Sequence, residues 1–289
     1  MEIRKNLRTI KFIRKITTLF LLFAFNFAYA GGVDSDKILE EGKLLYRLER
    51  ASWIATDLFV ADFSELRDSV GGYVSYQIPG NKVNTIFFSR NNPNRILLRF
   101  HFSSLLEMHL LNTDVEPTPA TETENDLIAI RHDAYQRIKK NEDNFFSFYE
   151  NTTLNIISVI QGKKKRVIIV TASNVENEIA LGNDYVLNYS KKNKFKSQEK
   201  IHNSLIRFAY GSTKEDEEIT TTMHSHVLSP AINSTDICTL LLYKNFLTWK
   251  QHYVISKEFV SIFDIEKETL FLMKRKAWDR MNKNISEKE

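Results

Sequence analysis

The sequence predicts an α+β fold: a mixed sheet packed by helices in the C-terminal half, preceded by a helix and a small antiparallel β-meander. Three observations predict it. Apolar residues recur at near-helical spacing shortly after residue 35, short β-rich runs separated by Gly, Pro and Asn turns fill 73–102, and strand-like runs beyond 166 are interrupted by one apolar helix-like stretch, 235–248.

The first helix is expected to open at Ser35 and Asp36, which cap a run containing Ile38, Leu39, Leu44, Leu45 and Leu48, and to reach about Ala55. Gly71-Gly72 then leads into Tyr73–Ile78, Val83–Phe88 and Arg95–Phe102. The turns between them fall at Pro79-Gly80-Asn81-Lys82 and Asn91-Asn92-Pro93-Asn94. Residues 112–125, polar and carrying two prolines, form the clearest break in composition and read as a linker. Thr121 and Glu124 stand in capping-box relation ahead of Leu127, Ile130, Ala134 and Ile138, which predicts a helix over 121–140. Phe145, Phe146, Phe148 and Tyr149 read as apolar anchors of this region to the core.

In the second half, strands are expected at 166–171, 178–189 with a break near Gly182, 204–209 and 219–227. A helix follows at 235–248, then strands at 252–256, 259–265 and 270–273 and a short helix near 276–282. The predicted organisation is 1–30 as a signal peptide, 31–111 as helix plus meander, 112–125 as linker and 126–289 as the α+β domain.

The signal is expected from Arg4, Lys5, Arg8, Lys11, Arg14 and Lys15, which precede an apolar stretch from Ile16 to Phe27 ending in Ala28-Tyr29-Ala30. That stretch is short for a membrane span. Its loss would remove six of 40 basic residues and one of 36 acidic ones, moving the formal charge from +4 to about −1. The expectation is therefore an exported protein, periplasmic or secreted, with no stable membrane span after cleavage. A near-neutral chain lacks the basic field that draws in phosphates, so no nucleic-acid partner is expected. The single cysteine, Cys238, excludes an internal disulfide and falls in an apolar run, where it reads as a small buried hydrophobe. No phosphate-binding loop, dinucleotide fingerprint or Gly-x-Ser-x-Gly elbow is present. Lys163-Lys164-Lys165-Arg166 reads as a solvated loop before a strand, and the acidic run 215–218 as a loop tip.

Chemistry is concentrated at His224-Ser225-His226, followed by Ser234-Thr235-Asp236. On a strand, alternation points His224 and His226 the same way, and Cβ atoms two residues apart lie roughly 6 to 7 Å from each other, so both imidazoles can reach one ion. Asn233 or Ser234 can cap the next helix, which places Asp236 in its first turn, where a helix dipole also favours a carboxylate. The same residues are equally compatible with a polar strand face and a helix-opening acid. His202 reads as a surface histidine, or as a further ligand if its strand lies beside the His-x-His strand. Gly182-Asn183-Asp184 reads as a turn or bulge.

The order His-x-His, seven residues, Ser, then Asp resembles the JAMM motif of JAB/MPN-type zinc metallopeptidases, over roughly residues 126–275. The resemblance implies His224, His226 and Asp236 as zinc ligands, Ser234 as a hydrogen-bond donor to the oxyanion, and a strand glutamate as general base, for which Glu178 is the candidate and Glu176 the reserve. It implies a peptide or protein substrate and hydrolysis of amide or isopeptide bonds. Val227 stands where the family has proline, and one residue separates Ser234 from Asp236 where the family has two. Gly182-Asn183-Asp184-Tyr185, Asp236-Ile237-Cys238-Thr239 and 256–261 also resemble segments of exported bacterial proteins of unestablished function. The alternative expectation is a non-catalytic secreted or envelope binding protein on a degenerate version of the same fold.

Overall fold

The structure is a computed structural model and describes residues 32–104, 108–210 and 221–286, with side chains to 283. The expected signal, residues 1–30, and the acidic run 215–218 lie outside the described residues.

Helix α1 spans Ser35–Asp62, about two turns beyond the expected end. Its core stripe is Leu44, Leu45, Leu48, Ala51, Ala55 and Phe59, the spacing of a helix buried along one face. Strands β1 (Val70–Ile78), β2 (Lys82–Ser89) and β3 (Arg95–Phe102) form the expected antiparallel meander. Residues 112–125 carry more regular structure than a linker: β4 (Leu110–Asp114) and the two-residue β5 (Thr118–Pro119) both pair with β3. Helix α2 (Glu122–Lys140) follows with Thr121 as N-cap, where Thr121 and Glu124 complete the capping box.

A second antiparallel sheet, ordered β10-β9-β7-β6, is built from β6 (Thr152–Gln161), β7 (Lys164–Ser173), β9 (Tyr185–Tyr189) and β10 (Phe195–Lys200). The break expected near Gly182 separates β9 from β8 (Glu178–Gly182), which pairs instead with β11 (Leu205–Ala209). The last sheet is mixed. Strand β12 (Thr221–Ser225) runs parallel to β13 (Gln251–Ile255), connected through helix α3 (Ser234–Leu242), while β14 (Phe259–Asp264) and β15 (Thr269–Lys274) continue antiparallel. A parallel pair needs such a crossover, and it lays α3 on the sheet. Helix α4 (Arg275–Ser286) follows β15.

Among the described residues the buried apolar side chains form four clusters, two of which meet at helix α3. One cluster joins α1 to β2, β3, β6, β7 and the α3 residues Cys238 and Leu242. Another packs Ile237, Leu240 and Leu241 of α3 against Ile179 and Leu181 of β8 and Val254 and Phe263 of the mixed sheet. Helix α3 is therefore wedged between α1 and the sheet. The wedge is tight at Gly42, where an added Cβ would stand 2.6 Å from Cβ and Cγ2 of Ile237. Burying Ile237 completely contributes about 1.5–3 kcal/mol, and this contact fixes the turn of helix that carries Asp236. Among the described residues no helix is long and apolar enough to cross a membrane.

Candidate metal centre

Strand β12 alternates as its sequence requires. Met223, Ser225 and Val227 face solvent, whereas His224 and His226 are buried. The ladder continues one residue past the strand, since the His226 N–H donates to the Ile255 carbonyl at 2.9 Å. The chain then turns through 227–233, held by Ser256 Oγ donating to the Pro230 carbonyl and by the Ile232 N–H donating to Ser261 Oγ at 3.0 Å. Asn233 caps α3. Asp236, in the first turn, folds back so that Oδ2 accepts from the Asn233 N–H at 2.9 Å. Its other oxygen, Oδ1, is turned into the protein interior.

Four side chains meet there. His226 Nε2 lies 2.8 Å from His224 Nε2 and 3.2 Å from His202 Nε2. Asp236 lies 3.2 Å from His202 Nε2 and 3.8 Å from His224 Nε2 through Oδ1, and 3.3 Å from His226 Nε2 through Oδ2. All four residues are buried, with Asp236 fully enclosed. His202, His226 and Asp236 form a triad with ligand atoms all within 4.8 Å of one another. Donors bonded at about 2.0–2.1 Å in a tetrahedron stand roughly 3.3 Å apart, so these separations match one shared ion.

The far side of each ring is also engaged. His226 Nδ1 contacts the Ala231 carbonyl at 2.9 Å and Ser229 Oγ at 2.7 Å. His224 Nδ1 meets His252 Nε2 at 2.7 Å, and His252 Nδ1 meets Thr222 Oγ1 at 2.8 Å. His202 Nδ1 lies 3.1 Å from Asp184 Oδ2. Partners of this kind fix which nitrogen keeps its proton and direct the other at an ion.

The charges of the cluster are set by burial and by one another. Burial alone would raise the Asp236 pKa, but His202, His226 and His224 hold it far below the carboxylate range. Burial also opposes charge on His202, yet Asp236 and Asp184 outweigh it and push its pKa up to about 10. His224, in contrast, is pushed down to about 4 by burial, against the pull of Asp236, and His252 down to about 3 by burial and by His224. In the metal-free protein His202 is thus the cation that balances Asp236, with His224 and His252 neutral at pH 7. Asp236 Oδ1 is buried and faces His202 Nε2 at 3.2 Å and His224 Nε2 at 3.8 Å without an aligned hydrogen bond, which leaves its lone pairs directed at a cation position in the cluster. Three imidazoles and a carboxylate are a donor set that suits zinc, so the residues present fit that ion.

The structure brings together His224, His226 and Asp236. Glu178 is not with them: it begins β8, about 13 Å along the strand from Gly182. There it accepts from Ser173 Oγ at 2.6 Å and pairs with Arg207 at 2.5 Å, contacts that lower its pKa. Glu176 is exposed in the preceding turn. Ser234 is the half-buried first residue of α3, and it is Asn233 whose side chain reaches the cluster, with Nδ2 3.3 Å from His202 Nε2. The site also recruits Asp184 and His252, which sequence reasoning assigned to a turn and to a strand. The pairing of β12 with β13 places His252 beside Thr222 and one step from His224. A small cavity of about 40 Å³ opens on His202, His224 and His226, with Leu181, Val227 and Leu228 in its wall. That is room for water, which needs roughly 10–15 Å³ on the same measure.

No known family model matches this chain, and it has no significant match among curated proteins.

Proposed function

We propose that this protein is an exported zinc-dependent hydrolase of amide or isopeptide bonds, built around a divergent JAMM-like centre. The observation that carries the proposal is that His226 and Asp236 lie within 2.8–3.8 Å of each other and of both His202 and His224, on a strand–helix–strand unit of the order the motif resemblance implies. The family's two-residue spacing before the aspartate is met by Asn233 rather than Ser234. Export is supported by the basic and apolar pattern of residues 4–30.

Zinc in such a centre supplies Lewis acidity at neutral pH. The chain's own residues then have separable roles. His226 and Asp236 anchor the ion, because both sit at the middle of the cluster and both are locked from behind, by the Ala231 carbonyl and by the Asn233 N–H. His224 is held with Nε2 inward by His252. His202, backed by Asp184 at Nδ1, lines the cavity and presents Nε2 to the same cluster. Asn233 Nδ2 offers a donor beside it. The exposed Val227 and Leu228 give the mouth an apolar rim suited to a peptide side chain.

A second reading is a non-catalytic binding protein whose ion is structural. It is favoured by the donor count, since four protein ligands close a zinc site whereas catalytic centres keep one position open. One experiment separates these: zinc content and chelator-sensitive peptide cleavage measured on the purified chain and on His226→Ala. About one zinc per chain, lost in the variant, with cleavage abolished by chelator, supports the hydrolase. Zinc without cleavage of peptide or isopeptide libraries leaves the structural ion. Equal zinc in both proteins removes the metal centre altogether.

A further inference from the structure

The Gly182-Asn183-Asp184 turn is built in a way that ordinary turn chemistry does not require. Two successive residues adopt left-handed backbone conformations, Gly182 at φ 98° and Asn183 at φ 58°, and Asn183 and Asp184 are nevertheless buried. Burying a non-glycine residue in this geometry is costly and persists where the surroundings enforce it. Here they do. Asn183 Nδ2 donates to the Ser147 carbonyl at 3.0 Å, Tyr185 Oη donates to Asn183 Oδ1 at 2.6 Å, and Thr171 Oγ1 donates to the Asn183 carbonyl at 2.8 Å.

The turn is also clasped to the loop that bears His202. The Ile201 N–H donates to the Asp184 carbonyl at 2.8 Å, and the Asn183 N–H donates to the Ser204 carbonyl at 3.0 Å. His202 lies between those two bonds. A Cβ on Gly182 would stand 2.3 Å from the Ser204 oxygen and 3.5 Å from His202 Cβ, so the loop can approach only because residue 182 has no side chain. Finally, Asp184 divides its carboxylate: Oδ1 accepts from the Thr171 N–H at 2.9 Å, and Oδ2 faces His202 Nδ1 at 3.1 Å. One oxygen is tied to the sheet and the other to the imidazole.

We propose that Gly182 and Asp184 are positioning residues of the metal centre, which seat the 201–204 loop and aim His202 Nε2 at the ion as a donor from outside the His-x-His strand. The proposal rests on the metal reading of the cluster. It makes the centre a composite of two elements: the strand–helix unit that supplies His224, His226 and Asp236, and a separate clasp that delivers His202. The clasp, not the His-x-His spacing, then sets the number of donors.

The test is zinc affinity by chelator competition and the visible spectrum of the cobalt-substituted protein, measured for wild type, Gly182→Ala, Asp184→Asn and His202→Ala. Asp184→Asn is expected to weaken zinc about 10–100-fold. Gly182→Ala is expected to shift the cobalt bands to those of His202→Ala. Adding Asp184→Asn to His202→Ala should cost no further affinity, a coupling that a merely structural aspartate would not show. Wild-type affinity and spectrum in both positioning variants, alongside a changed His202→Ala, overturn the proposal. Should either variant fail to fold, ring nitrogen shifts of the zinc-loaded wild type decide: a metal-bound Nε2 with a protonated Nδ1 on His202 supports it, and an unbound His202 overturns it. If the wild type itself takes up neither metal, the underlying metal reading has failed instead.

Discussion

His224 Nδ1 and His252 Nε2 face each other at 2.7 Å across the parallel pair β12–β13, with His252 completely enclosed. Both rings are neutral, so the pair holds one proton between those two atoms, and His252 donates its Nδ1–H to Thr222 Oγ1. With the proton on Nδ1, His224 Nε2 carries a lone pair and points into the cluster. Replacing His252 by Phe keeps the bulk and removes the acceptor. Zinc affinity is expected to fall about 10–100-fold, with chelator competition as the measurement. Unchanged affinity would mean that His224 is oriented without its neighbour.

Metal removal should be felt by the whole fold. His226 and Asp236 sit on elements that share the interior with α1 and the mixed sheet, so an ion that binds only the folded state adds stability by mass action. At a free zinc concentration near 1,000 times Kd the gain is about 4.1 kcal/mol. Thermal unfolding of the zinc-loaded chain is therefore expected to move down on addition of chelator, and the shift should vanish in Asp236→Asn. An identical Tm with and without chelator in the wild type would count against occupancy.

Much of this site was legible in the sequence, for identifiable reasons. The two histidines of β12 declare themselves because strand alternation is local, and Asp236 because it follows a capping residue at the start of an apolar run. The approach of His202 and His252 is not local. His202 reaches the cluster through the clasp between Gly182–Asp184 and the 201–204 loop, and His252 through the register of a parallel pair, neither of which leaves a periodic trace. The expected glutamate misled for a related reason. Glu178 lies on a strand as required, but β8 pairs with β11, which gives its carboxylate to Arg207. The linker reading of 112–125 rested on proline content, whereas Pro119 closes an edge pairing with Arg95 on β3, a position where proline is tolerated.

Gly42 offers a test of how α1 supports the centre. Alanine is the better helix former by about 0.8–1.0 kcal/mol, so a surface-like position would gain stability from Gly42→Ala. The new Cβ would instead meet Ile237 at 2.6 Å, and overpacking of this kind costs about 1–3 kcal/mol. Net destabilisation is expected by denaturant unfolding, together with weaker zinc binding because Ile237 adjoins Asp236. Trimming the obstacle in Gly42→Ala/Ile237→Ala should return part of the zinc affinity, and failure to do so would separate the helix contact from the site.

Away from the centre, Glu124 gives the fold an acid limit. Its carboxylate is fully enclosed and accepts from Tyr76 Oη at 2.7 Å, Arg99 Nη2 at 2.9 Å and the Thr121 N–H at 2.8 Å. Burial pushes its pKa up, but the bonds from Tyr76, Thr121 and Arg99 outweigh burial and leave it below the ordinary value. The unfolded chain, with a glutamate pKa of about 4.3, therefore binds this proton more readily than the native one. Stability contributed by Glu124 is fully present above that unfolded value and is lost as pH falls through the lower folded value. Denaturant unfolding between pH 6 and pH 3 should show a decline that is shallower in Glu124→Gln. The variant itself is expected to lose about 3–5 kcal/mol at pH 7, because Arg99 is left largely buried without its main partner. A parallel decline in both proteins would assign the acid sensitivity to other carboxylates.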